Sequence, residues 1–135
     1  MRLSSALRRK LLASARRAAG RAYAPYSRFR VGAAVLTASG KVYTGANVEN
    51  ASYGLTNCAE RTAIFNAVAA GERKVVAVAV FTPTRKPNTP CGACRQVIHE
   101  FGPRAVILCA CNTSARIETS LDRLLTEAFG PKSLR

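Results

Sequence analysis

The sequence predicts an α/β protein, with a sheet covered by helices on both faces in a three-layer α/β/α sandwich. Three observations lead there. A narrow apolar stripe at helical spacing opens the chain, and two continuous apolar runs, Val75–Phe81 and Ala105–Cys111, have the character of buried strands. Between and around them, helix-type and strand-type patterns alternate in the order α-β-β-α-β-α-β. The 135 residues are enough to bury a sizeable core, and 1–135 is expected to be a single domain.

Leu3, Leu7, Leu11, Ala15, Ala18 and Ala22 recur at four- and three-residue steps with arginines on the other faces, which predicts an amphipathic helix over residues 4–22. It should end near Tyr23-Ala24-Pro25. Val31–Thr37 and Lys41–Gly45 are β-prone runs around Ala38-Ser39-Gly40, a hairpin pattern. A helix is expected over 57–70, closed by Gly71. Thr82–Pro90 holds three prolines and no periodicity, as a loop does. Cys91–Phe101 then places Cys94, Val97, Ile98 and Phe101 on one helix face, and Gly102-Pro103 stops it. Leu121–Ala128 is expected to be a final short helix.

Composition narrows the function classes. No apolar run approaches the ~18 residues of a membrane span. Hydrophobic content of 48% with few aromatics fits a soluble globular protein. The net charge is +14, and the first acidic residue is Glu49. Arg8, Arg9, Lys10, Arg16, Arg17 and Arg21 therefore lie in a stretch with no counter-charge, which suggests nonspecific attraction to polyanions. An acid-free, Arg- and Ser-rich start also resembles a transit peptide. The plainest alternative is a solvated basic face on a helix that belongs to the fold. Five cysteines, an odd number that includes a C-x-x-C, point to metal binding in a reducing compartment rather than to disulfides.

The most informative residues are Cys58-Ala59-Glu60 and, farther along, Pro90-Cys91-Gly92-Ala93-Cys94. Three thiols suit one tetrahedral zinc ion with the fourth position left for water. Cys94 shares a helix face with Cys91 three residues before it. Cys58, Cys91 and Cys94 all fall at helix N-termini, where unpaired amides and the dipole favour thiolate. The alternative, a closed structural site, needs a fourth ligand. His99, the only histidine, is five residues past Cys94, and Cys109 and Cys111 alternate along an apolar strand as buried thiols do. Glu60, near the open position, is placed to accept a proton from water and hand it to the substrate nitrogen. On its own it would pass for a carboxylate favoured by a helix N-terminus. Three thiolates make the site electron-rich, so Arg61 and Arg95 are candidates to draw charge off the sulfurs, although both could be plain surface arginines.

Four segments resemble the small homotetrameric cytidine deaminases: Tyr26-Ser27-Arg28-Phe29-Arg30-Val31-Gly32-Ala33-Ala34, the stretch Thr44–Leu55, Cys58-Ala59-Glu60-Arg61-Thr62-Ala63-Ile64, and Pro90–Gln96. The tail Ala128-Phe129-Gly130-Pro131 extends the likeness over nearly the whole chain. The resemblance implies a central mixed five-stranded sheet, one zinc ion per subunit on Cys58, Cys91 and Cys94, and Glu60 as proton shuttle. The reaction it implies is hydrolysis of cytidine and 2′-deoxycytidine to the uridines with release of ammonia, in cytoplasmic pyrimidine salvage. By the same likeness Asn47 and Glu49 bond the ribose hydroxyls, Phe29 packs on the base and the backbone at Ala59 holds the pyrimidine edge. In such a homotetramer neighbouring subunits complete each pocket, so Tyr53 and Phe129 are candidates for their own chain's site or a partner's, with plain core packing as the alternative for Phe29 and Phe129. Departures are small: Arg30 stands where proline is commoner, Ala46 where cysteine is frequent, and Thr126 where the tail often has proline.

Three rivals share features of the chain. A nucleic-acid editor would use the positive charge, but Glu49 at the ribose would repel a 3′-phosphate. An aminonucleoside deaminase of the blasticidin type shares the three-cysteine site, although Asn47-Val48-Glu49-Asn50 and the aromatic tail favour the cytidine enzyme. A zinc-stapled RNA-binding module would tolerate loss of Glu60, whereas an enzyme would not.

Overall fold

A computed structural model describes residues 2–135. The chain runs α1 (Ser5–Ala19), β1 (Gly32–Thr37), β2 (Val42–Ala46), α2 (Ala59–Ala69), β3 (Val75–Phe81), α3 (Gly92–Phe101), β4 (Val106–Ala110), β5 (Ile117–Ser120) and α4 (Leu121–Leu124). Short 3₁₀ turns occupy Tyr53–Leu55 and Pro131–Leu134. The strands form one sheet in the order β2-β1-β3-β4-β5, with β3 and β4 parallel and the other pairs antiparallel. This is the mixed five-stranded sheet that was expected.

Strand side chains alternate between the two faces, and each face has its own core. Ala34, Leu36, Ala77, Ala79 and Phe81 meet α1 through Leu11, Ala15 and Ala19. Val35, Val78, Val80, Ile107 and Cys109 meet Ala63, Ile64 and Ala67 of α2, Ile98 of α3 and Leu121 of α4. Alanines dominate the first interface, so α1 lies close to the sheet. A Cβ on Gly32 would collide with the backbone of Ala15 and Ala19, and one on Gly45 with Ala63 and Ala59 of α2. Two glycines thus let a helix press onto each face.

Ser4 caps α1, its hydroxyl accepting the Leu7 N–H at 3.1 Å. The helix stops at Ala19, with Gly20 as its C-cap, three residues short of the predicted end. Its packing makes the basic N-terminal segment an integral layer of the fold. β5 is an element that the apolar patterning did not reveal, because Ile117-Glu118-Thr119-Ser120 is short, polar and at the sheet edge. α4 is a single turn, not the helix expected over Leu121–Ala128. The Leu124 carbonyl, which the residue 128 amide would need, accepts from Arg95 Nη1 at 2.9 Å, and Glu127 turns left-handed at φ 50°. No described helix is long and apolar enough to cross a membrane.

Candidate active site

α2 and α3 start beside one another on one face of the sheet. Cys58 is the N-cap of α2 and Cys91 the N-cap of α3, both with extended backbone, and neither thiol caps its own helix. Cys94 lies one turn into α3 and is fully buried. The three Sγ atoms lie within 4.8 Å of one another, and Cys58 and Cys91 are 3.9 Å apart. No other His, Cys, Asp or Glu joins this group among the described residues. His99 instead lies against Gly130, and burial pushes the Cys109 thiol up to about 12, so it stays neutral.

The donor set suits zinc. Three sulfurs converge where two helix N-termini meet, and a tetrahedral ion held by them keeps one position free. The Cys58 thiol is drawn down to about 5, chiefly because the Cys94 thiol donates to it and then because Arg61 Nη2 does so at 3.3 Å; partial burial opposes both. The Cys94 thiol moves upward as its proton is shared with Cys58. A thiolate is therefore ready at neutral pH before any metal arrives. The Arg61 Nε is buried with no hydrogen-bond partner, while its Nη2 donates to the Cys58 sulfur.

Glu60, on the first turn of α2, is 5% exposed, and among the described residues no other side chain bonds its carboxylate. Burial pushes its pKa up to about 7, with the nearby Cys58 thiolate adding to the rise and Arg61 and its own backbone amide opposing it. A carboxyl poised near neutrality can both take and return a proton.

A cavity of about 670 Å³ opens over these groups, and Phe29, Asn47, Glu49, Cys58, Ala59, Glu60 and Cys91 all line it. Asn47 fixes its rim: Nδ2 donates to the Phe29 carbonyl at 2.7 Å and Oδ1 accepts the Val31 N–H at 2.9 Å. Tyr53 and Phe129 lie outside this cavity. Tyr53 is 75% exposed beside Tyr26, with ring centroids 5.8 Å apart. Phe129 is 61% exposed, its carbonyl held by Gln96 Nε2 at 2.8 Å. Arg95 reaches no sulfur: its fork donates to the Pro90 carbonyl, Thr89 Oγ1 and the Leu124 carbonyl at 2.7–2.9 Å. It braces the loop that delivers Cys91, which corrects its expected place beside the thiolates.

Sequence reasoning passed over Ser27, Thr82, Thr84 and Asn88, which also line the cavity. Asn88 Nδ2 donates to the hydroxyl oxygens of Thr82 and Thr84 at 3.2 and 3.1 Å, stiffening the proline-rich loop. The available signal was the density of hydroxyls and amides in Thr82–Pro90, a stretch read only as structureless.

The family model described as "Cytidine and deoxycytidylate deaminase zinc-binding region" matches residues 5–110. This chain belongs to that family. A cytidine deaminase of Halalkalibacterium halodurans is 52% identical over 123 residues, covering 90% of this chain and 93% of the relative. The crystal structure of cytidine deaminase from Burkholderia pseudomallei superposes with a TM-score of 0.88 at 48% identity, covering 94% of this chain and all of the other. The enzyme from Mycobacterium tuberculosis gives 0.75 at 41% identity, covering 90% and 96%. The family's zinc-binding region includes Cys58, Glu60, Cys91 and Cys94 of this chain.

Proposed function

We propose that this chain, a single deaminase domain over 1–135, hydrolyses cytidine and 2′-deoxycytidine to uridine and 2′-deoxyuridine with release of ammonia. The observation that carries this is the convergence of Cys58, Cys91 and Cys94 on one point, with the buried Glu60 carboxylate and the polar wall of Asn47 and Glu49 lining the same cavity. Zinc held by the three sulfurs supplies the Lewis acidity that makes water nucleophilic at neutral pH. Glu60 takes one proton of the attacking water and gives it to N3 of the base, then carries the proton of the new C4 hydroxyl to the departing amino group. Net addition of water at C4 and loss of ammonia leave the C4 carbonyl of uridine. Arg61 offsets thiolate charge, while the Ala59 backbone and Phe29 orient the base and Asn47 and Glu49 accept the sugar.

The relatives' names and the family match support this reading. Decline of cytidine absorbance in the ultraviolet, abolished by chelator and restored by zinc, tests it; persistent turnover after complete metal removal would refute it. A homotetramer completes the proposal. Exposed Tyr53 and Phe129 are suited to a neighbouring copy's site, and mass determination of the assembly tests this. Cytoplasmic pyrimidine salvage is the setting such an activity implies. The basic residues of α1 lie across the sheet from the cavity, so nonspecific polyanion binding there would not guide a strand to the catalytic groups.

A further inference from the structure

If Glu49 reads the sugar, as proposed above, its carboxylate must be held in one orientation. Oε1 accepts two backbone amides, Tyr26 N–H at 3.0 Å and Ser27 N–H at 3.1 Å. Oε2 accepts the Ser27 hydroxyl. A carboxylate offers about four acceptor sites, so these three donors leave one on Oε2 for a substrate hydroxyl. The same Ser27 Oγ accepts the Phe29 N–H at 3.0 Å. Between them Arg28 adopts φ 58°, in the left-handed region. That turn folds the chain back so that the Phe29 amide meets the oxygen two residues earlier. Donation to a carboxylate polarises the hydroxyl and strengthens it as an acceptor.

We propose that Ser27 is a positioning residue for nucleoside recognition: one hydroxyl ties the Glu49 carboxylate to the Phe29 backbone. The group that reads the sugar and the ring beside the base are thereby held as a unit. This rests on the assignment of Glu49 and Phe29 to the substrate made above. Ser27 carries no charge and takes no part in the proton transfers at C4. Without it Oε1 stays anchored by two amides, but Oε2 loses the donor that sets its remaining lone pair. The consequence falls on sugar recognition and spares the chemistry.

Zinc-loaded wild type, Ser27→Ala and Ser27→Thr are compared on cytidine and on 2′,3′-dideoxycytidine, which lacks both ring hydroxyls. Wild type should favour cytidine in kcat/KM. Ser27→Ala should shrink that preference roughly 10-fold, through KM for cytidine and with kcat within about twofold, the scale of one charge-assisted hydrogen bond. Ser27→Thr, which keeps the hydroxyl, should restore it. In a Glu49→Gln background Ser27→Ala should leave the preference unchanged. An equal loss on both substrates, an unaltered preference, or an effect that persists without Glu49 would overturn the proposal. If Ser27→Ala does not fold, Ser27→Cys, similar in size and a weak donor, gives the same readout. A wild type indifferent to the two nucleosides would instead remove the sugar reading of Glu49, and the Ser27 proposal with it.

Discussion

Arg61 Nη2 lies 3.3 Å from Sγ of Cys58, so a fixed positive charge sits on a sulfur of the metal site. Three thiolates would load zinc with negative charge and make bound water a weaker acid than in a three-imidazole site. Arg61→Ala should keep zinc near one equivalent per chain, slow turnover by about 10- to 100-fold, and move the pH optimum upward. Metal analysis with a pH–rate profile checks this; an unmoved profile would remove the role.

Glu60→Gln preserves shape and removes the proposed proton carrier. Turnover should fall by about 10²- to 10⁴-fold while the metal stays bound. Retained zinc with a near-normal rate would remove Glu60 from the proton transfers.

Metal-free protein should report the burial of Glu60 through its stability. The folded carboxyl titrates near 7, above its unfolded value, so its contribution is full below pH ~4 and is lost as pH rises through 7. Metal-free Glu60→Gln should therefore match wild type at pH 4 and exceed it at pH 8, by about 3 kcal/mol at most. Urea unfolding in the presence of chelator at the two pH values measures the difference; equal stability at pH 8 would count against the buried carboxylate.

Cys58 should react as a thiolate far below the pH of an ordinary cysteine. With metal removed, iodoacetamide should modify it at pH 6, where Cys94 and Cys109, both with raised thiol pKa values, remain intact. Peptide mapping by mass spectrometry would show the order, and simultaneous labelling of all three would contradict the lowered Cys58 thiol.

Gly45→Ala should disturb the site from a distance. Its Cβ would meet the α2 backbone at Ala59 and Ala63, on the helix that bears Glu60 and is capped by Cys58. Destabilisation of about 1–3 kcal/mol is expected, with weakened zinc binding, measurable by thermal melts and metal titration.

Much of this site was legible because its parts are local. Cys58-Ala59-Glu60-Arg61 places ligand, carboxylate and guanidinium within one helical turn, and Cys91 and Cys94 are a turn apart, so spacing alone predicts their shared faces. The apolar runs gave β3 and β4 for the same reason. β5 and the short α4 were less legible because neighbours decide them. β5 is a strand through pairing with β4, and α4 ends where Arg95 takes a carbonyl that the helix would have used.

Residue identity and spacing thus determined the layered fold, the three sulfurs and the carboxylate within one turn of Cys58, since helix and strand periods follow from backbone geometry. Tertiary packing decided which distant side chains meet. It brought Ser27 onto Glu49, sent Arg95 to the Cys91 loop instead of to a sulfur, and left Tyr53 and Phe129 outside their own chain's cavity. Such contacts span tens of residues and depend on how closely helices settle on the sheet, which no local period encodes.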